Sequence, residues 1–243
     1  MKENIGVKFR RTGAVFKKQI KDILKNKMLL FQFLLFPAMA LILTLVMPEG
    51  DGPDAIPKGM FALMFSPMFA GMMPIVTMAA VIGEEKEKKS LKVLAMSGVT
   101  PMEYLVGTGG FVLLFSIPAI FIFGITALLS IPDFLIFFCA MTLGVIVGTI
   151  LGGAAGLLSK NQVNATAIAM PFAMILAFIP MIAMFSGEGA FKTIADMLFT
   201  QQIGNIISDF SDIKFVSFAI IGINLVVSLA FFIFAYKKGN LSE

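Results

Sequence analysis

Six stretches of this chain, roughly 28–47, 60–82, 105–129, 134–158, 165–185 and 215–236, contain no Asp, Glu, Lys or Arg at all. Each is about 20 residues or longer, and at about 1.5 Å rise per residue each spans the roughly 30 Å hydrocarbon core of a bilayer. Inside lipid, every backbone N–H and C=O needs a partner within the protein, and a helix supplies it within the segment. The fold expected is therefore all-α and integral to the membrane, with six transmembrane helices in one domain covering 1–243. Composition agrees: 58% of residues are hydrophobic and only 14% charged, where a soluble domain carries roughly a quarter charged residues. Prolines 37, 67, 74, 118, 171 and 180 fall inside the runs, where neighbouring helices re-satisfy the carbonyls they free.

The charged residues collect between the runs, and they orient the chain. Sixteen of the nineteen Lys and Arg fall on one side: nine before the first run, four after the second, Lys160, Lys237 and Lys238. Lys58, Lys192 and Lys214 fall on the other. Positive residues stay inside, so both termini are expected in the cytoplasm of a plasma membrane. This distribution also argues against nucleic acid as a partner, because the basic residues flank spans and form no soluble face. Segment 7–25 places Phe9, Phe16, Ile20 and Ile23 on one helical face, with Lys17, Lys18, Lys21 and Lys25 elsewhere. That is a basic amphipathic elbow helix in the interface with the bilayer, either a plain anchor or an anchor that also touches a cytoplasmic partner. Segment 187–214 is too long for a turn and repeats apolar residues at helical spacing, which predicts one or two short helices broken near Gly204. They cap a pathway or lie on the outer leaflet.

Several chemistries are excluded. There is no histidine, which removes Ser–His and Cys–His nucleophile pairs and histidine metal sites. Glu84–Glu85 resembles the double glutamate of membrane-embedded CAAX-type proteases, but those need histidines as well, so no enzyme is expected. No run holds an ionisable group to relay a coupling proton. Gly-Lys never occurs, so the phosphate-cradling loop of ATPases cannot be present, and ATP with its Mg would be bound by a separate chain. The single cysteine, Cys139, has no partner for an intrachain disulfide. No cleaved leader is evident, and Lys-rich usage suggests a bacterial source.

Two periodic features stand out within the runs. Gly144, Gly148, Gly152 and Gly156 repeat every four residues and form a glycine face for close helix packing, within the chain or between subunits. Met64, Met68 and Met72 repeat likewise. Methionine is flexible and polarizable, so such a stripe suits varied apolar ligands or fills a core.

The most informative stretch is the loop 83–100. Glu84, Glu85 and Glu87 come first, then Lys88, Lys89 and Lys92, an order that suits a helix dipole. Thr100, Pro101 and Glu103 read as N-cap, first helical residue and capping-box acid of the next helix. Glu85-Lys86-Glu87, Ser90-Leu91, Val93-Leu94, Thr100-Pro101, Glu103 and Leu105 resemble the loop after the second span in permease subunits of type-2 ATP-binding-cassette exporters. The resemblance covers the chain in outline, including the elbow and the excursion before the last span. It departs at Lys89, where the family commonly has glycine, and at Thr108, where it often has lysine.

The resemblance implies a half-transporter that pairs with a second permease, identical or related, above two cassette ATPase subunits. The loop would be a coupling helix, with Glu84, Glu85, Glu87, Lys88, Ser90, Leu91 and Leu94 its contact residues. In such exporters the first, second and fifth spans line the pathway, which makes Phe33, Phe36, Met64, Met68, Met72, Met170 and Met174 the matching candidates here. A charge-free, Met- and Phe-rich route favours an amphiphile: a peptide, drug or lipid-like compound. The alternatives are a non-transporting scaffold that holds a cytoplasmic protein through the same loop, and a sodium-type exporter subunit of the same architecture.

Overall fold

The computed structural model describes residues 5–47, 56–57, 59–186, 189–210 and 215–238. The helices are α1 (Ile5–Ile23), α2 (Lys27–Val46), α3 (Met60–Glu87), α4 (Ser90–Met96), α5 (Pro101–Thr126), α6 (Ile131–Leu158), α7 (Gln162–Phe185), α8 (Ala190–Ala195), α9 (Phe199–Ser208) and α10 (Phe215–Lys238). Among the described residues, α2, α3, α5, α6, α7 and α10 are long and apolar enough to cross a membrane. Lys58 and Lys214, two of the three basic residues assigned to the far side, lie outside the described residues, as do 187–188 and 211–214 of the excursion before the last span.

Side chains close the helix starts where the sequence changes from apolar to polar. Asn26 accepts from the Leu29 N–H, Ser130 from Asp133 and Asn161 from Asn164. Each satisfies one of the donors a helix leaves unpaired at its start.

The second span, α3, is the hub. Fully 94% of its apolar window is buried, against 22% for α10 and 28% for α2 and α7. It packs most extensively on α7 and α6, then on α2, α5 and α9. Between α3 and α6, small residues let backbones meet. A Cβ added at Gly148 would stand 2.9 Å from the Ala70 carbonyl oxygen, and one at Gly156 3.0 Å from that of Ala79. Gly152 lies against the backbone of Ile75, and Gly144 leaves room for Ile203 of α9. Lipid offers helices no hydrophobic drive to associate, so such close dispersion contacts hold the bundle together.

Two expectations change. The loop expected to begin at 83 is instead the last turn of α3, which continues to Glu87 because Glu and Lys are good helix formers and Glu84 pairs with Lys88 one turn on. The excursion 187–214 breaks at 196–198, where Leu198 is extended at φ −98° and ψ 139°, and Gly204 sits inside α9. A glycine within a helix costs about 1 kcal/mol. Here α9 is held by packing against α3, α6, α7 and α10, which outweighs that local preference. It is therefore a helix buried in the bundle and does not lie on the surface.

Candidate functional site

The end of α3, together with α1, α4 and the start of α5, forms a polar platform at the end of the bundle that also holds Lys238. The chain turns sharply there. Lys88 caps α3, and Lys89 adopts φ 56°, in the left-handed region. Ser90 Oγ then donates to the Glu85 carbonyl at 3.2 Å, so α4 folds back onto α3. After α4, Gly98 is again left-handed at φ 78°. Thr100 opens α5 with a complete capping box: its N–H donates to Glu103 Oε2 at 2.9 Å, and its Oγ1 accepts from the Glu103 N–H at 3.3 Å.

The charged residues of this turn have separate tasks. Glu85 is 5% exposed. It is paired with Lys18, accepts from Gln19 Nε2 at 2.8 Å and accepts from the Tyr104 hydroxyl. One carboxylate thus knots α1, α3 and α5 together. Lys86 Nζ donates to the Leu157 carbonyl at 2.6 Å, placing a cation at the C-terminus of α6. Glu87 Oε2 accepts from the Gln162 N–H at 3.2 Å, placing an anion at the N-terminus of α7. Both match the helix dipoles. Glu84 faces outward and hydrogen-bonds Lys88, which raises the Lys88 pKa above its ordinary value.

Two of the coupling contacts read from the sequence are therefore corrected. Glu85 and Leu91, the latter 3% exposed, turn into the protein. Leu91 packs with the core because α4 folds back onto α3. Glu87 and Lys88 stay at the surface, and Glu84, Ser90 and Leu94 are half-buried. The outward edge of α4 consists instead of Lys92, Val93 and Met96, with Val93 62% and Met96 80% exposed. The sequence shows Leu91, Val93, Leu94 and Met96 together as an apolar side, and nothing local in it separates the two that project from the two that turn inward.

The elbow is rotated relative to the face expected. Val15, Gln19 and Ile23, spaced four apart, are its buried stripe. Val15 and Thr12 meet Gly107 of α5, where an added Cβ would come 2.8 Å from Val15 Cβ. Phe16 and Ile20 are half-buried on the flank, and Phe9 is exposed. A glutamine in the inward stripe was the clue to the Glu85 knot.

The pathway candidates do not share one wall. Phe33, Phe36 and Met68 are core residues. Phe33 packs edge-on against Phe69 with ring centroids 6.5 Å apart, and Phe36 lies 6.2 Å from Phe65. Helical spacing identifies a face, but a helix wrapped on every side has no open one. Met64 and Met72 are half-buried, and Met64 lines a cavity under α9. Met170 and Met174 lie exposed on α7.

Six apolar spans with a folded, charge-rich platform at one end define a multi-pass membrane protein. The chain belongs to the ABC-2 transporter family: the family model described as ABC-2 family transporter protein matches residues 57–236, from just before α3 into α10. It is thus the membrane component of an ABC transporter, which implies an ABC ATPase partner. The elbow and first span precede the matched region. No curated protein shows significant similarity to the chain.

Proposed function

We propose that this chain is the membrane-spanning half of an exporter that moves an amphiphilic substrate (peptide, drug or lipid-like) out of the cell, driven by a separate ATPase. One observation carries the reading: α4 presents Val93 and Met96 at its exposed edge while Leu91, on its other side, is buried against the hub helix. An ATPase gripping that edge is coupled directly to α3. Two ATPase subunits bind ATP and Mg beneath two permeases, this chain and an identical or related second copy.

The mechanism follows from the knots at the end of α3. Closure of the ATPase dimer pushes on α4 and so on α3. Through Glu85 the push reaches α1 and α5, through Lys86 it reaches α6, and through Glu87 it reaches α7. The spans then tilt as packed bodies, and the pathway opens outward. The distribution of basic residues supports a cytoplasmic position for both termini and α4, on the side where an ATPase would dock. A charge-free membrane interior suits an amphiphile.

The test is affinity purification of the tagged chain from its native membrane, followed by ATP turnover in the recovered complex. A cassette ATPase that co-purifies, and whose turnover an exported amphiphile stimulates, is expected. A cytoplasmic partner without ATPase activity would overturn the exporter reading in favour of a scaffold.

A further inference from the structure

Between α8, α9 and the start of α10, away from Lys238, lies a cavity of about 670 Å³. This is within the range that holds drug-sized ligands. Its walls are largely polar. Gln202 and Asn205 line it from α9, Asp196 from the turn between α8 and α9, and Ser217 from α10. Asp196 stands well inside the length of that span. The neighbouring Met197 carbonyl accepts from Asn224 Nδ2 at 2.9 Å, and Asn224 lies nine residues beyond Phe215, the start of α10, about 13 Å along the helix. The apolar runs of the spans bring no carboxylate to this level, but the α8–α9 turn does. An ionisable group at such depth is costly and marks a route or a ligand's counter-ion.

The charges there do not balance. Lys192, Asp196 and Asp209 are the charged residues among the described lining, one cation against two anions. Lys192 and Asp209 each already have an interaction partner. Asp196 pairs with no cation among the described residues: its half-buried carboxylate accepts from Asn205 Nδ2 at 3.3 Å. Ser217 is 6% exposed, and its hydroxyl has no hydrogen-bond partner among the described residues. That hydroxyl is not one of the polar atoms sealed from the surface, so a ligand in the cavity reaches it. Gln202 Nε2 donates to the Asp196 carbonyl, and a carbonyl only accepts, so Oε1 is the end of that amide left for a ligand. Carboxylate, hydroxyl and amide oxygen together suit a ligand that donates hydrogen bonds and is positively charged. A neutral one would leave the carboxylate without a counter-ion. Val216, 62% exposed, and Ile220 carry the lining onto the apolar face of α10, which gives an alkyl chain a path into lipid.

We infer that this cavity binds an amphiphile that carries a primary ammonium group beside a hydroxyl. The ammonium donates to the Asp196 carboxylate, the hydroxyl meets Ser217 Oγ, and the alkyl chain leaves along Val216 and Ile220. Its place in transport rests on the exporter reading, but binding is measurable without an ATPase, so the two can fail separately.

The experiment uses the full chain in phosphatidylcholine nanodiscs with two photo-crosslinkable probes of equal chain length. One is a diazirine-bearing long-chain 2-amino alcohol, and the other is its N-acetyl derivative, which keeps the hydroxyl and loses the charge. The amine is expected to label peptides containing Val216 and Ile220 about tenfold more than the amide does. Asp196→Asn, which keeps an oxygen for Asn205, should bring amine labelling down to the amide's level and leave amide labelling unchanged. Ser217→Ala should lower labelling by both about fivefold. Asp133→Asn, at the start of α6 and outside the cavity, should change neither. Equal labelling by the two probes in the parent protein, or amine labelling indifferent to Asp196→Asn in a variant that runs monodisperse, would overturn the site. So would an equal loss with Asp133→Asn, which marks general attraction to negative charge. Soluble ethanolamine has both polar groups and no chain, and should not displace the amine at equal concentration; displacement by it would overturn the amphiphile. ATP turnover of the purified transporter is read separately. Site-specific labelling without stimulated turnover keeps the site and sinks the exporter reading, and stimulated turnover without such labelling does the reverse.

Discussion

At the scale of single residues, Glu85 and Lys89 show how differently neighbouring charges in one loop act. Glu85 is buried and has three partners, so removing its carboxylate strands the Lys18 ammonium and the Tyr104 hydroxyl in a packed site. Breaking a buried pair by deleting one partner costs about 3–5 kcal/mol, and the half-exposed Lys18 places this case at about 3 kcal/mol. Glu85→Ala should therefore lower thermostability in detergent markedly, whereas Lys18→Ala, which leaves Gln19 and Tyr104 to hold the carboxylate, should lower it less. Equal melting temperatures for Glu85→Ala and the parent would refute the knot. Lys89 is strained for a different reason. A side chain at φ 56° crowds the backbone, at a cost of about 1–2 kcal/mol. Lys89→Gly should raise the melting temperature, and Lys89→Val should lower it. Glycine alone adopts this left-handed turn into α4 without steric cost.

At the scale of elements, α4 separates two kinds of apolar residue that look alike in the sequence. Leu91 is buried against the bundle, while Val93 and Met96 project from it. Val93→Asp combined with Met96→Asp should abolish ATPase co-purification and leave a monodisperse, membrane-inserted chain. Leu91→Asp should instead reduce the yield of folded protein, because it buries an unpaired charge. Size-exclusion profiles and pull-downs on the same samples distinguish the two. Loss of folding in the double variant, or normal folding of Leu91→Asp with loss of the ATPase, would reverse the assignment of the two faces. Helix α9 teaches a related lesson. Its glycine marks no break, because packing against four other helices decides its extent.

At the scale of the whole molecule, the bundle is organised around a single helix. With α3 surrounded by α7, α6, α2, α5 and α9, force applied at its end reaches every span except α10 directly, and α10 is reached through α6. The same arrangement puts α4 and the start of α6 at opposite ends, since Lys86 at the end of α3 meets Leu157 at the other end of α6. If α4 faces the cytoplasm, an impermeant thiol reagent applied to intact cells should label Ile131→Cys and spare Met96→Cys, both tested in a Cys139→Ala background. Both side chains are well exposed, at 80% each, so accessibility is comparable. The opposite labelling pattern would invert the topology and, with it, the site of ATPase docking.

The sequence by itself determined the spans, the amphipathic elbow, the capping box at Thr100 and the charge-rich turn after the second span. All of these are local: uninterrupted apolarity over a bilayer's thickness, helical periodicity, and a cap followed three residues later by an acid. The glycine repeat of α6 was equally plain, although which helix it seats was not. What only the tertiary structure decided was direction. Glu84 and Glu85 are adjacent and chemically identical, yet one meets solvent and the other is enclosed, because α1 packs back against α5 beside it. Met68 and Met174 read alike, yet one lies in the wrapped hub and the other on an open face. Facing depends on neighbours tens of residues away in the chain, and no local pattern encodes which of them will arrive.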